Sequence, residues 1–225
     1  MQIFDIHAHV YPDAIADRVV RALSGAYDGF PVRNDGRLST YLAHMDASSI
    51  TSAALHSVAT KPEQVSSINR FIMDCADANR SRIVPFATLH PDMPDLEDAA
   101  RNLVRAGFAG VKLHPEMQGF LVNEPRALDL FSALAGKLPV LLHCGDYRCD
   151  NSAPERILNM LRQVRGLKLV CAHFGGWTDW ESAASVLAGE DIWVDCSSSF
   201  YALDPAASVS IIRAYGADRV LFGSD

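Results

Sequence analysis

Short, mostly apolar runs recur along this chain at fairly even spacing. They cover residues 2–6, 50–58, 83–89, 110–113, 140–143, 169–172, 192–195 and 220–222. Runs this short, rich in Val, Ile and Leu, read as strands buried on both faces. Between them lie stretches whose apolar positions repeat with a helical period: residues 12–23, 64–79, 96–106, 126–134, 154–163, 180–187 and 205–215. Strand and helix in alternation predict βα units and a parallel sheet.

Two arrangements compete, an open doubly wound sheet and a closed barrel. No glycine-rich dinucleotide loop follows the first run, where His7-Ala8-His9 stands instead. Eight runs favour a (β/α)8 barrel, and 225 residues suit one domain of a fold that takes about 250. Residues 24–37 form the longest irregular stretch and carry Gly25, Gly29, Pro31 and Gly36. They read either as a lid near the site or as a plain surface loop. The eighth run is followed at once by Asp225, so no eighth helix covers the seam between last and first strands. The expectation is a C-terminally truncated chain, or else another segment in that gap, with a partner chain the less economical alternative.

Charge and cysteine content narrow the function. A net charge of −7 argues against a nucleic-acid backbone as partner. There is no leader-like start, and no apolar run approaches the roughly 18 residues that span a bilayer. Cys75, Cys144, Cys149, Cys171 and Cys196 are odd in number and form no CxxC pair. They read as free, packing thiols of a reducing cytoplasm.

The candidate chemistry sits where the predicted strands end. Residues i and i+2 of a strand share a face, so His7 and His9 project side by side. Lys112 and His114 do the same on the fourth strand. His143 ends the fifth, His173 the sixth and Asp225 the eighth. A parallel barrel gathers such ends at one rim, and neutral imidazole is a favoured metal ligand. His7, His9 and His143 would supply nitrogen, and Asp225 would complete the shell and accept a proton from water. His173 would either ligate the metal or orient water and stabilise developing negative charge. Bound Zn²⁺ lowers the pKa of water from about 15.7 to about 7, which makes hydroxide available at neutral pH.

This arrangement resembles the amidohydrolase superfamily of metal-dependent barrels, in particular its amidohydrolase-2 type. The resemblance runs from His7 to Asp225 and rests on the HxH pair, His143, His173 and Asp225. It implies hydrolysis of a C–N or C–O bond (amide, cyclic amide, ester or lactone) in a small substrate by metal-activated water. Some members of this type are non-oxidative decarboxylases, so a lyase acting on a small carboxylic acid is the alternative. The resemblance also implies one divalent ion, Zn²⁺ foremost. Two ions follow if Lys112 is carboxylated, with His143 and His173 on the second.

Unmodified, Lys112 or His114 would bind a substrate carboxylate. Arg148 would pair with such a carboxylate, and Trp177 would cover an apolar or aromatic substrate. Plain loop positions are the alternative for both, as for Glu116 and Tyr147. Asp5 shares the parity of His7, or supports the site from below. His56 and His90 follow the second and third strands toward the rim, and His44 reads as a packing or surface residue. The expected partner is a small-molecule substrate, with neither nucleic acid nor membrane, and self-association is left open. A catalytically silent barrel that only binds is a third reading, which the intact ligand set disfavours.

Overall fold

The computed structural model describes residues 2–27 and 32–225, so Gly29 and Pro31 lie outside the described residues. Eight strands follow one another around a single sheet in chain order. They are β1 (Ile3–His9), β2 (Ile50–His56), β3 (Ile83–Ala87), β4 (Gly110–Leu113), β5 (Val140–Leu142), β6 (Leu169–Cys171), β7 (Trp193–Asp195) and β8 (Val220–Leu221). All neighbouring strands in this order pair in parallel. Two backbone hydrogen bonds bring β8 back to β1. The Ile6 N–H donates to the Phe222 carbonyl at 2.9 Å, and the Asp225 N–H donates to the His7 carbonyl at 2.7 Å. The sheet thus curls into the expected barrel.

The helices are α1 (Asp13–Ala26), α2 (Leu38–Ala47), α3 (Val65–Ala78), α4 (Leu96–Ala106), α5 (Pro115–Gln118), α6 (Pro125–Leu134), α7 (Pro154–Gln163), α8 (Trp180–Leu187) and α9 (Pro205–Tyr215). Several begin on proline, whose missing N–H costs nothing at a helix start. At α9 the Asp204 side chain also accepts from the Ala207 N–H at 2.8 Å. Helix α1 runs on into the 24–37 stretch, which sequence pattern read as irregular from residue 24. No helix follows β8 among the described residues.

Alternation along the strands divides the apolar residues into two layers. Leu55, Val111, Leu113, Leu142 and Leu169 face outward and pack under the helices. Ile6, Ala54, Phe86, Leu141, Val170 and Ala172 face inward and plug the barrel. A side chain at Gly110 would come within 2.5 Å of the Phe86 ring, so glycine there is what admits the phenyl group. The plug fills the barrel below the C-terminal strand ends, leaving those ends for polar groups.

Strict alternation fails in β1. Its register against β2 shifts between Asp5 and Ala8, so Ile6 joins the plug while His7, next in sequence, also faces inward. Asp5 therefore does not share the face of His7, as parity suggested. Its carboxylate turns toward α2, where the Tyr41 hydroxyl donates to it at 2.8 Å. It also accepts from the His7 N–H at 3.0 Å, and from the Ser224 N–H and hydroxyl at 3.0 and 2.6 Å. Burial raises its pKa, and these bonds act the other way. Asp5 ties β1, α2 and the residues after β8 together at the seam. Replacing it with alanine leaves buried donors unpaired, and a loss of about 2–3 kcal/mol in unfolding free energy is expected. Urea denaturation checks this; a change below about 0.5 kcal/mol would show that the seam does not depend on it.

Candidate metal centre at the barrel mouth

The polar strand ends converge above the plug. His7 and His9 end β1, His56 ends β2, and Asp195 ends β7. Lys112 points inward from β4, His114 follows β4, and His143 and His173 follow β5 and β6. Most are buried, and Lys112, His56 and Asp195 have no exposure at all. His173 and Asp225 adopt positive φ of 58° and 65°, a costly conformation for non-glycine residues that functional sites retain.

Asp195 organises the centre. Its Oδ2 lies 2.8 Å from His7 Nδ1. Its Oδ1 accepts from the His173 N–H at 3.1 Å, the Ser197 N–H at 2.9 Å and the Ser197 hydroxyl at 2.5 Å. A carboxylate only accepts, so His7 carries its proton on Nδ1 and aims the Nε2 lone pair into the site. Asp225 Oδ1 stands 3.3 Å from that Nε2 and 3.5 Å from His9 Nε2. The Lys112 ammonium donates to His7 Nε2 at 2.9 Å.

The same accounting applies to the second histidine pair. His143 Nε2 contacts the Gly145 carbonyl at 3.1 Å, and His173 Nδ1 contacts the Ser197 carbonyl at 3.1 Å. Carbonyls only accept, so both nitrogens carry protons. His173 Nε2 and His143 Nδ1 then face each other at 3.1 Å as two lone pairs. His9 Nδ1 and both nitrogens of His56 are buried with no hydrogen-bond partner. Buried polar atoms are satisfied in roughly 90% of cases. Converging lone pairs, an anionic oxygen and unpartnered imidazoles are what a divalent cation resolves, and the donor set suits one.

Electrostatics agree. Burial pulls the imidazoles of His9, His56, His114 and His143 below their ordinary range and His173 to about 4. Neutral imidazole is the ligating form. Burial also lowers Lys112. For Asp195 and Asp225 burial acts upward, but the facing imidazoles, His7 foremost, outweigh it and hold both well below the usual carboxylate range.

The structure thus brings His7, His9, His173 and Asp225 together. His143 reaches this group only through His173, and its ring stacks on His114 at 3.8 Å between centroids. His114 is itself bonded to the Tyr27 hydroxyl at 2.7 Å, with Glu116 Oε2 3.2 Å from its other nitrogen. A cavity of about 680 Å³ opens above, between the strand ends and α1. Its floor is His7, His9, His114, His143, His173 and Asp225, and its walls include Val19, Leu23, Val32, Met117 and Trp177. Trp177 lines the space, whereas Lys112 lies beneath the floor. Arg148 stands at the outer edge, bonded to Asp146 and to the Ala26 carbonyl, with its guanidinium over the Tyr27 ring.

Sequence reasoning missed Asp195 and Tyr27. The signal for Asp195 was a lone acid closing an apolar strand. Tyr27 carried no signal beyond its place in the 24–37 stretch.

A family model described as amidohydrolase matches residues 4–225. No curated protein matches the chain. Among solved structures, a 2,6-dihydroxybenzoate decarboxylase complexed with 2,6-dihydroxybenzoate superposes with a TM-score of 0.72 at 16% identity, covering 100% of this chain and 89% of that one. A candidate 2-pyrone-4,6-dicarboxylic acid hydrolase from Pseudomonas putida gives 0.65 at 20% identity, covering 99% and 81%. An amidohydrolase from Burkholderia multivorans with bound zinc gives 0.67 at 13% identity, covering 100% and 84%. At such identities the likeness is one of fold.

Asp195→Asn keeps the shape but removes the acceptor that sets the His7 tautomer. Metal affinity is expected to fall about 10–100-fold, read by competition with a chelating dye. Affinity within threefold of wild type would show that His7 is oriented by other contacts.

Proposed function

The chain belongs to the amidohydrolase family, and from that premise we propose that it is a metal-dependent hydrolase. It cleaves a C–N or C–O bond in a small amide, cyclic amide, ester or lactone. The observation that carries this reading is the convergence of His7 Nε2, His9 Nε2 and the Asp225 carboxylate on one point beneath a largely apolar cavity. These three residues hold the cation, with His173 beside them. A divalent ion bound there supplies a Lewis acid that polarises an acyl oxygen and brings the pKa of water toward neutrality. Zn²⁺ fits the nitrogen-rich donor set.

The chain's own groups do the rest. Asp225, an ionised carboxylate facing both HxH imidazoles, accepts the proton of the attacking water and returns it to the departing nitrogen or oxygen. His173, on the cavity floor, carries a lone pair on Nε2 that accepts a hydrogen bond from the attacking water and orients it toward the acyl group. Lys112 beneath the floor adds positive potential at the same place. Trp177 and the apolar face of α1 seat the body of the substrate and exclude water. His114 contacts the polar end of the substrate.

A second reading has its own support. The fold is shared with a decarboxylase bound to an aromatic acid, and the cavity carries both an aromatic wall and imidazoles on its floor. In this reading the chain is a metal-dependent decarboxylase of a small carboxylic acid. The substrate carboxylate lies over the floor, and a proton taken from water by Asp225 is delivered to the carbon that loses CO2.

Two experiments decide. Protein purified without chelators is expected to hold roughly one equivalent of divalent metal, lost in His7→Ala and His9→Ala. Metal-free wild-type protein would end both readings. A panel of lactones, amides and esters run beside aromatic carboxylic acids then separates them. Acid released with consumption of water marks the hydrolase, and CO2 evolution marks the lyase. In either case Asp225→Asn is expected to lower kcat by about 10²–10⁴.

A further inference from the structure

We propose that Tyr27, at the C-terminal end of α1, selects substrates that carry a hydroxyl or N–H donor on the end lying under that helix. The proposal rests on the metal-dependent reading above and names the chemistry of the substrate's polar end.

Tyr27 is held in place from several sides. Its backbone N–H closes α1 on the Leu23 carbonyl at 3.0 Å. The Trp177 indole meets the phenol edge to face, with centroids 5.1 Å apart, and the Arg148 guanidinium lies 5.0 Å from the ring centre. Arg148 also donates to the Ala26 carbonyl, which fastens the end of α1 to the loop after β5. The phenol is thereby fixed in the cavity wall, with its hydroxyl 2.7 Å from His114 Nε2.

The direction of that bond follows from the groups behind it. The Gly145 N–H donates to Ser152 Oγ at 3.0 Å, and the Ser152 hydroxyl donates onward to Glu116 Oε1. Glu116 Oε2 is buried without a hydrogen-bond partner and stands 3.2 Å from His114 Nδ1. A carboxylate only accepts, so the proton of His114 belongs on Nδ1. The Met117 N–H, 3.4 Å from the same nitrogen, is the weaker competitor, being longer and uncharged. Nε2 then carries the lone pair, and the Tyr27 O–H donates to it. Burial pushes the phenol pKa up, so the hydroxyl keeps its proton.

An oxygen whose proton is committed offers only lone pairs to the cavity. Turning the O–H toward a substrate acceptor would strand the buried imidazole lone pair. A carbonyl, ether or carboxylate oxygen placed there would meet another acceptor, with the Glu116 charge behind it. A hydroxyl or N–H on the substrate completes the chain instead. Sites that hydrogen-bond a substrate donor reject analogues lacking it far more strongly than apolar pockets reject a change of size.

The test uses the full Zn²⁺-loaded chain and benzohydroxamate, whose two oxygens chelate a metal while its ring enters the cavity. Ring-substituted forms carry a hydroxyl, amino or methoxy group at the meta or para position, and affinities are read by calorimetry. Wild-type protein is expected to bind at least one hydroxyl or amino probe about tenfold more tightly than both the unsubstituted and the methoxy compounds. Tyr27→Phe removes one oxygen and is expected to abolish that preference, while affinity for benzohydroxamate itself stays within about threefold. Glu116→Gln can donate to Nδ1 and so admits the opposite tautomer of His114, and it is expected to shrink the preference to about threefold or less. Loss of packing alone would not change this ratio. No preference in the wild-type chain, or full preference in either variant, would overturn the assignment while leaving the metal-dependent reading intact. A wild-type chain that takes up no Zn²⁺ would overturn that reading itself, and this assignment with it.

Discussion

The Asp195 carboxylate, fully buried at the end of β7, sets three things at once. It fixes which nitrogen of His7 carries the proton, it holds the backbone of His173 in its left-handed conformation, and it binds Ser197 through both amide and hydroxyl. An ion of this kind in a dry interior is tolerated only when every acceptor site is filled. Here the donors that fill it are the groups whose orientation the chemistry needs. The lone pair of His7 and the placement of His173 both follow from that one buried charge.

The wall of the barrel gives this arrangement its rigidity. The polar groups stand on the strands or just beyond their C-terminal ends, directly above the apolar plug. Gly223 shows how tight the fit is: a methyl group there would lie 2.9 Å from the Cβ of His7 and 3.3 Å from the carboxyl carbon of Asp195. Residues that hold the sheet closed and residues that face the cavity are interleaved along the same few strands.

Much of this was legible in the chain. The apolar runs ending in His9, His143 and His173 gave both the strand and the direction of its polar end, because a buried strand has no other reason to terminate in imidazole. The barrel followed from the number of runs. What was not legible depends on lateral neighbours. Parity assigned Asp5 to the face of His7, but the register shift in β1 reverses that, and no local pattern announces a bulge. Asp195 resembles any acid that begins a loop until β6 and β8 are seen on either side of it. His56 and His143 look alike as strand-end histidines, and only the partners of their ring nitrogens tell them apart. Tyr27 reaches His114 from a stretch whose irregular composition hid how far α1 continues.

The bulge in β1 has a consequence for how this protein can change. Because Ile6 and His7 both face inward, the top of the hydrophobic plug and the first imidazole of the barrel mouth are adjacent along the backbone, with no intervening outward residue. In a regular strand, a core position and a site position would be separated by a residue that absorbs small displacements. Here a larger or smaller side chain at position 6 moves the imidazole directly. Stability and catalytic geometry are therefore not independently adjustable on this strand, and variation that tunes the substrate range must come from α1 and the loops above the cavity instead.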